Sequence, residues 1–473
     1  MNYKKIILLS LMLGFGICVS QAQKTMNLQQ AIETGIKNNI DVLQSGLLTD
    51  KSEILWKQSR MQMLPNLNGN INQGINYGKS IDPFTNTFIN QNVSFGSYGA
   101  SSNLLLFNGL SLQNQIKANK LGYEASQMEL QQAKDNLTIN IILAYLQVLS
   151  SKDILKQAQE QVNVTINQVN RLALLNDTGA ISPSNYYDVK GQLASEQVTI
   201  SNSKANLETA KLNLTQLLNI PYDKNLEAEP LPDELIDANS MTGPDEIYQT
   251  ALKQFAQVKA AELRTQSAEK NVRSIRGSLY PTLSFGANIN TNYSSVAAAN
   301  QFIGSTIKPS SDYVDINGTH YPVYQQSNNY TVQKLNFNKQ LNDNLFYTLN
   351  IGLTIPLFNA SRVRSQVKVA KIDMESSRLR EENTKVLLQQ AIERAYVNLV
   401  SSADKYKLLL DQVNSFEESF RIAEVKFNSG VITSVDYLVA KNNLDQSKSN
   451  LIISKYDFIL REKILNFYAG KVI

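Results

Sequence analysis

Very few residues in this sequence could make or break a bond. There is one His, His320, and one Cys, Cys18, among 473 residues. Zinc and haem sites, thiol chemistry and imidazole acid–base catalysis need more of both. His320 lies in a Tyr- and Asn-rich stretch, where a solvated position is expected rather than a ligand. The acids are the remaining candidates. Asp436 stands three residues after Thr433, a spacing that can complete an N-terminal capping box, although Glu or Gln is commoner there. The Glu381-Glu382 and Glu417-Glu418 pairs read as solvated helix faces. No constellation supports an enzyme, a cofactor or a metal site. Basic and acidic residues balance at 45 to 41, for a net charge of +4, with no concentrated basic patch, so a nucleic-acid partner is not expected. Charged residues make up only 18%, and Asn, Gln, Ser and Thr carry the polar share. Charge-driven disorder is therefore excluded.

The elements that would position these acids begin after a leader. Lys4 and Lys5 precede an apolar run from Ile6 to Val19, and Ser20-Gln21-Ala22 offers small residues at a cleavage site. This is the pattern of a secretory signal peptide over residues 1–22. Ile17 before Cys18 argues against lipid attachment, because such signals want a small residue there. Cleavage would take the basic count from 45 to 43 against 41 acids and leave no Cys, so disulfides play no part.

The rest is a duplication. Leu106-Phe107-Asn108 recurs as Leu357-Phe358-Asn359, 251 positions on, and the same offset joins Tyr145 to Tyr396, Gly179 to Gly430, Tyr186 to Tyr437 and Leu193 to Leu444. Upstream, Leu64-Pro65 resembles Tyr280-Pro281 at an offset of 216. The domains expected are a first repeat over 23–223 (helix, β-hairpin, long helix, helix), an acidic Pro-rich linker over 224–244, and a second repeat over 245–473. The second repeat carries an insertion of about 300–342 that should lengthen its hairpin loop.

Each repeat holds a long helix. The stripe Leu137, Ile141, Ala144, Val148, Ser151, Leu155, Ala158, Val162, Thr165, Val169 and Leu172 advances by alternating steps of four and three, the period of a left-handed coiled coil. A matching stripe starts at Leu388, Ile392 and Ala395. Both helices end at a Gly-containing turn, and Ser182 and Thr433 suit the N-caps of returning helices. Shorter helices are expected over Met26–Met63 and Asp245–Ser278. Tyr145 and Tyr396 are expected to pack. Four strands alternate apolar and polar residues, at about 67–77, 93–107, 283–293 and 345–357, with a bulge expected in the second. Their length fits a tilted bilayer span, and their Asn-, Gly- and Thr-rich face suits a wet lumen. Four strands cannot close a barrel, so membrane insertion would require oligomerisation, and a cyclic trimer gives twelve strands.

The whole mature chain resembles the TolC-type outer-membrane efflux family. The residues that carry the resemblance are the duplicated plan, Leu64-Pro65 and Tyr280-Pro281 before the strands, Leu106-Phe107-Asn108 and Leu357-Phe358-Asn359 after them, and the tip motif Phe427-Asn428-Ser429-Gly430 with Asp436-Tyr437-Leu438. The resemblance implies a mainly α fold with β. Long antiparallel coiled-coil helices would form a periplasmic α-barrel, and four transmembrane β-strands per protomer would close as a 12-stranded barrel in a homotrimer. It implies an outer-membrane location in contact with lipid, with a long periplasmic extension. The function implied is that of a passive exit duct of a tripartite efflux system, opened at an acidic periplasmic tip by a periplasmic adaptor and an inner-membrane pump. The exit duct of a type I protein-secretion system is an alternative, and a periplasmic coiled-coil adaptor or scaffold without a barrel is another. Asp436 matches a family gate aspartate, whereas Val439 stands where a second is usual. In the first repeat Asn185 and Asp188 hold the equivalent places, so each protomer would offer one acid per half. Whether Asp436 gates or only caps its helix stays open. Gly179, Ala180 and Ile181, with Gly430, Val431 and Ile432, match tips that meet adaptors.

Overall fold

A computed structural model describes residues 25–81, 86–231 and 243–471. The expected leader lies outside them, as do residues 232–242 of the linker. In chain order the elements are β1 (Thr25–Met26), α1 (Leu28–Asn38), α2 (Ile40–Met61), β2 (Asn68–Asn76), β3 (Lys79–Ile81), β4 (Phe88–Asn90), β5 (Val93–Asn108), α3 (Ser111–Asp177) and α4 (Pro183–Leu217). After β6 (Glu227–Ala228) come α5 (Pro244–Gln254), α6 (Ala256–Gly277), β7 (Thr282–Ser294), β8 (Ala298–Ile316) and β9 (Thr319–Lys334). The chain closes with α7 (Phe337–Asp343), β10 (Phe346–Thr354), α8 (Arg362–Asn428) and α9 (Ser434–Tyr468).

Element ends repeat with the sequence. Helices α3 and α8 each have 67 residues, and α4 and α9 each have 35. Each pair starts and stops 251 positions apart. A 67-residue helix is about 100 Å long. Helices α1 and α2 match α5 and α6 at 216 positions. Each of those stretches is expected as one helix, yet each breaks at a single residue. Asn39 and Phe255 take an extended backbone, with ψ of 127° and 125°. The Asn39 side chain accepts from the N–H groups of Asp41 and Val42 at 3.0 and 3.4 Å, and so caps α2. Phe255 is held by its ring, which packs on Phe467 and Tyr468 at 5.1 and 5.5 Å.

The chain divides into two compact units. The first comprises the described residues up to Glu53 with Lys120–Gln266 and Glu375–Ile473. In the α3 stripe all residues are buried except Leu155 and Val169, which are half-buried. Ile141 and Val148 share a core with Ala31, Ile32, Leu214 and Leu218. Their counterparts Leu388, Ile392 and Leu399 share one with Ile247, Val258 and Phe458. Tyr145 is fully buried. Its hydroxyl donates to the carbonyls of Met26 and Glu229 at 2.9 and 2.7 Å, fastening the short parallel pair of β1 and β6. Tyr396 packs at the edge of the second core.

Side-chain bonds set the helices of the first unit in the order α2, α3, α6, α8. Thr49 donates to the carbonyl of Ser126 at 3.0 Å. Arg264 forks onto Glu129 at 2.9 and 2.7 Å. Lys385 reaches Glu262 at 3.1 Å. The two helices at the ends of that row each keep an exposed apolar stripe of heptad spacing: Ile40, Leu47, Ile54 and Met61 on α2, and Ile372, Leu379 and Val386 on α8.

The second unit, Ile54–Asn119 with Ser267–Met374, is built on an antiparallel sheet of order β10-β7-β5-β2. None of the four strands contains a charged residue. Register sorts most of their side chains, because directly paired residues share a face, with Phe95, Leu105 and Phe346 falling on the polar side. One face is apolar, with Leu353, Leu283 and Phe107 in one row and Ile351, Phe285 and Leu104 in the next. The other carries Thr348, Asn288, Ser101 and Asn68 across all four strands. The bulge expected in β5 falls between Leu105 and Phe107. Strand β10 ends at Thr354, short of the expected Leu357.

The insertion is not irregular. Strands β8 and β9 pair as a two-stranded ribbon. It turns at Asn317-Gly318, whose φ values of 51° and 80° are those of a type I′ hairpin. His320 sits beside this turn, exposed, paired with Asp315 and packed edge-on against Tyr313 at 4.4 Å.

Candidate functional site

The sequence-derived site residues collect at the turns after α3 and α8, both in the first unit. Each turn closes with the same pair of backbone bonds. Gly179 N–H reaches Asn176 O at 3.0 Å and Ala180 N–H reaches Leu175 O at 2.8 Å. In the second repeat Gly430 reaches Phe427 O at 3.0 Å and Val431 reaches Lys426 O at 2.9 Å. This is the Schellman closure, which needs a left-handed residue at its centre. Gly179 and Gly430 supply it, with φ of 69° and 74°.

The docking candidates divide by burial. Gly179, Ala180, Gly430 and Val431 are exposed. Ile181 and Ile432 turn inward and pack on a small tip core of Leu172, Val189, Phe427 and Tyr437. Tyr437 stacks on Phe427 at 4.8 Å. Its buried hydroxyl has no hydrogen-bond partner among the described residues. Burial, together with the negative charges of Glu424, Glu196 and Asp445, pushes its ionisation upward.

Asp436 forms the capping box that its spacing predicts. It accepts from Thr433 N–H at 3.1 Å and from the Thr433 hydroxyl at 2.7 Å, while its own N–H donates to Thr433 Oγ1 at 3.2 Å. The hydroxyl and backbone donors of Thr433 hold its carboxyl below the usual range. Capping leaves the carboxylate exposed and ionised, so the cap does not consume the charge. The first repeat is built differently. Ser182 occupies the N-cap of α4 without a side-chain bond, ahead of Pro183. Asp188, half-buried, accepts from the Ser434 hydroxyl at 2.7 Å, which joins the starts of α4 and α9. Asn185 is half-buried one turn earlier on α4.

One cluster escapes sequence reasoning. Lys441 of α9 is 2% exposed and lies 2.7 Å from Glu196 of α4, itself 8% exposed, and 2.6 Å from Asp445. Glu196 Oε1 also accepts from Gln192 at 3.0 Å, while its Oε2 is buried without a partner among the described residues. Burial raises the pKa of Asp445 despite the opposing Lys441 charge. These positions do not correspond at the repeat offset, so nothing in the sequence paired them. The only available signal was the i,i+4 spacing of Lys441 and Asp445.

Among the described residues no group of His, Cys, Asp or Glu could hold a metal ion. No described helix is long and apolar enough to cross a membrane. The chain combines long duplicated helices with a four-stranded antiparallel sheet. The crystal structure of the outer membrane protein VceC from Vibrio cholerae has this fold, with a TM-score of 0.74 at 14% identity over 94% of this chain and 96% of that one.

The chain belongs to the outer membrane efflux protein family, whose model matches residues 31–219 and 247–471. It is 20% identical to the outer membrane protein TolC of Escherichia coli K12 over 96% of this chain and 84% of that protein. It is 19% identical to the outer membrane efflux protein BepC of Brucella suis over 99% and 91% of the two chains. The family consists of outer-membrane efflux channels, not enzymes.

Proposed function

We propose that three copies of this chain close one passive duct through the outer membrane, with the helices extending into the periplasm. The observation that carries this reading is the sheet: four uncharged strands, one largely apolar face, one neutral and mostly polar face, and two outer edges on β2 and β10 with no partner strand among the described residues. Open edges are not tolerated in lipid, and the smallest membrane barrels have about eight strands. A cyclic trimer supplies twelve, pairing β2 of one copy with β10 of the next. The helices support the same arrangement. The exposed heptad stripes lie on α2 and α8, the two ends of the helix row, where a neighbouring copy would cover them. A periplasmic adaptor or scaffold without a barrel has no use for such a sheet.

At the tip, Asp436 and Asp188, with Asn185, would place rings of acid and amide at staggered heights and favour cations at a narrow opening. The exposed turn residues Gly179, Ala180, Gly430 and Val431 would meet a periplasmic adaptor, with Ile181 and Ile432 holding those turns in shape. The adaptor would couple the duct to an inner-membrane pump that does the work. In planar lipid bilayers the protein is expected to form cation-selective channels. Asp436→Ala combined with Asp188→Ala is expected to raise single-channel conductance and weaken block by multivalent cations. Failure to form any channel would sink the duct, and unchanged conductance in the double variant would leave Asp436 its cap alone.

A further inference from the structure

The β8–β9 ribbon is longer than a connection between two strands requires, and it is amphipathic. Strand β9 runs without interruption, so its alternation defines the faces, and β8 follows by register. One face carries Phe302 opposite Tyr330, Ile307, Tyr324, and Pro322 opposite Tyr313. The Phe302 and Tyr330 rings meet edge-on at 5.8 Å, and Gln326 donates to Ser305 at 2.7 Å on the same side. Over Ala299–Lys308 and Gln325–Gln333 the reverse face is polar, with Asn329 donating to Thr306 at 3.3 Å, and only beside the turn does it carry Val314, Ile316 and Tyr321. Ile307, on the apolar face, is 74% exposed. An isolated two-stranded ribbon is marginal in water, and its bare edges invite pairing.

The base of the ribbon is fixed. Gln340 of α7, buried, accepts from Ser294 N–H at 2.8 Å and donates to the carbonyls of Ser294 and Leu335 at 3.0 and 2.9 Å. Phe337 packs against Tyr98 and Tyr293. A segment anchored this firmly is held in a direction.

We propose that the apolar face of this ribbon is covered by the same face of the other two copies, so that three ribbons pack together around the threefold axis and narrow the external mouth of the duct. This rests on the trimeric reading above. Two features favour a second copy over another occupant. Threefold packing sets like residues against like, and over Asn300–Pro309 and Pro322–Val332 this face holds no charged side chain, while nearer the turn it carries Asp315 paired with His320 of the same copy. The ribbon also returns through α7 into β10, the strand whose outer edge a neighbouring copy would pair.

The test uses the full chain, whose only Cys is Cys18. Ile307→Cys places a thiol on the apolar face, and Thr306→Cys places one on the polar face beside it. After oxidation of intact cells, Ile307→Cys is expected to give a disulfide-linked dimer band approaching about two thirds of the chains, because three thiols on one axis can pair only two at a time. Thr306→Cys is expected to stay at the wild-type background. Native mass separates the two readings. If the trimer forms and Ile307→Cys does not cross-link, or both positions cross-link equally, the ribbon faces something else, such as a lipid surface or another protein, and the proposal fails. If no trimer forms, the duct reading fails with it.

Discussion

The Lys441 cluster sets a quantitative expectation for the tip. Lys441→Met removes the ammonium that bridges Glu196 and Asp445, while the new side chain fills similar space. Two carboxylates then face each other in a region where Lys441 and Glu196 are 2% and 8% exposed, and one Glu196 oxygen already has no partner among the described residues. Breaking a buried pair by removing one partner costs about 3–5 kcal/mol. At about 1.36 kcal/mol per decade, that is a loss of roughly 10²- to 10³-fold or more in local stability. Amide hydrogen exchange over α4 and α9 near the tip, variant against wild type, reads it directly. The sign of the pH dependence also follows. Burial already holds Asp445 above the usual carboxylate range, and loss of the Lys441 charge raises it further. A raised carboxyl destabilises the fold at neutral pH, and the penalty is relieved as pH falls toward the unfolded value of about 3.9. The defect should therefore be large at neutral pH and shrink on acidification, and Lys441→Met with Glu196→Leu should recover most of it. Protection within about threefold of wild type, less than 1 kcal/mol, would refute the idea that this cluster fastens α4 to α9.

Gly430→Ala should cost about 1–2 kcal/mol through backbone strain alone, because φ is 74° and nothing lies within 4 Å of the added Cβ. Gly430→Asn should cost less, and thermal unfolding compares them. Tyr145→Phe should cost about 1–3 kcal/mol in urea unfolding, because the Glu229 carbonyl loses the hydroxyl proton it shares with Met26, whose carbonyl keeps the Glu229 N–H. Burial raises the Tyr145 hydroxyl from 10.0 to about 12, so the wild type should lose stability as pH rises between those values, and the variant should not. For Asp436, whose carboxyl is held low, the cap is in force above the ordinary carboxylate value and is lost as pH falls through the depressed one. The difference between wild type and Asp436→Asn in exchange protection at the start of α9 should therefore persist at mildly acid pH and close only below about 3.9.

Much of this molecule is legible in its sequence because duplication writes each element twice. The 251-position offset that links Gly179 to Gly430 also fixes the ends of α3, α4, α8 and α9. The strands are legible because a sheet with two unlike faces must alternate. Other features were not, each for a physical reason. The break at Asn39 depends on a side chain capping the following helix, and its counterpart Phe255 breaks the chain by ring packing, so no shared residue type marks both. The ribbon carried a readable signal in Asn317-Gly318, the usual type I′ pair. Its strands were obscured by two register shifts that interrupt the alternation of β8. The Lys441–Glu196 pair joins residues 245 positions apart without a repeat counterpart, so only the folded helices bring them together.

The central claim is that one chain supplies a third of a wall. The most direct measurement is the native mass of the protein extracted in mild detergent from isolated outer membranes, with the same sample heated and rerun. A species of three mature chains that falls to one on heating is the expected result. A monomer, or protein recovered free in the periplasm, would contradict the account, because four strands with two bare edges cannot span a membrane alone.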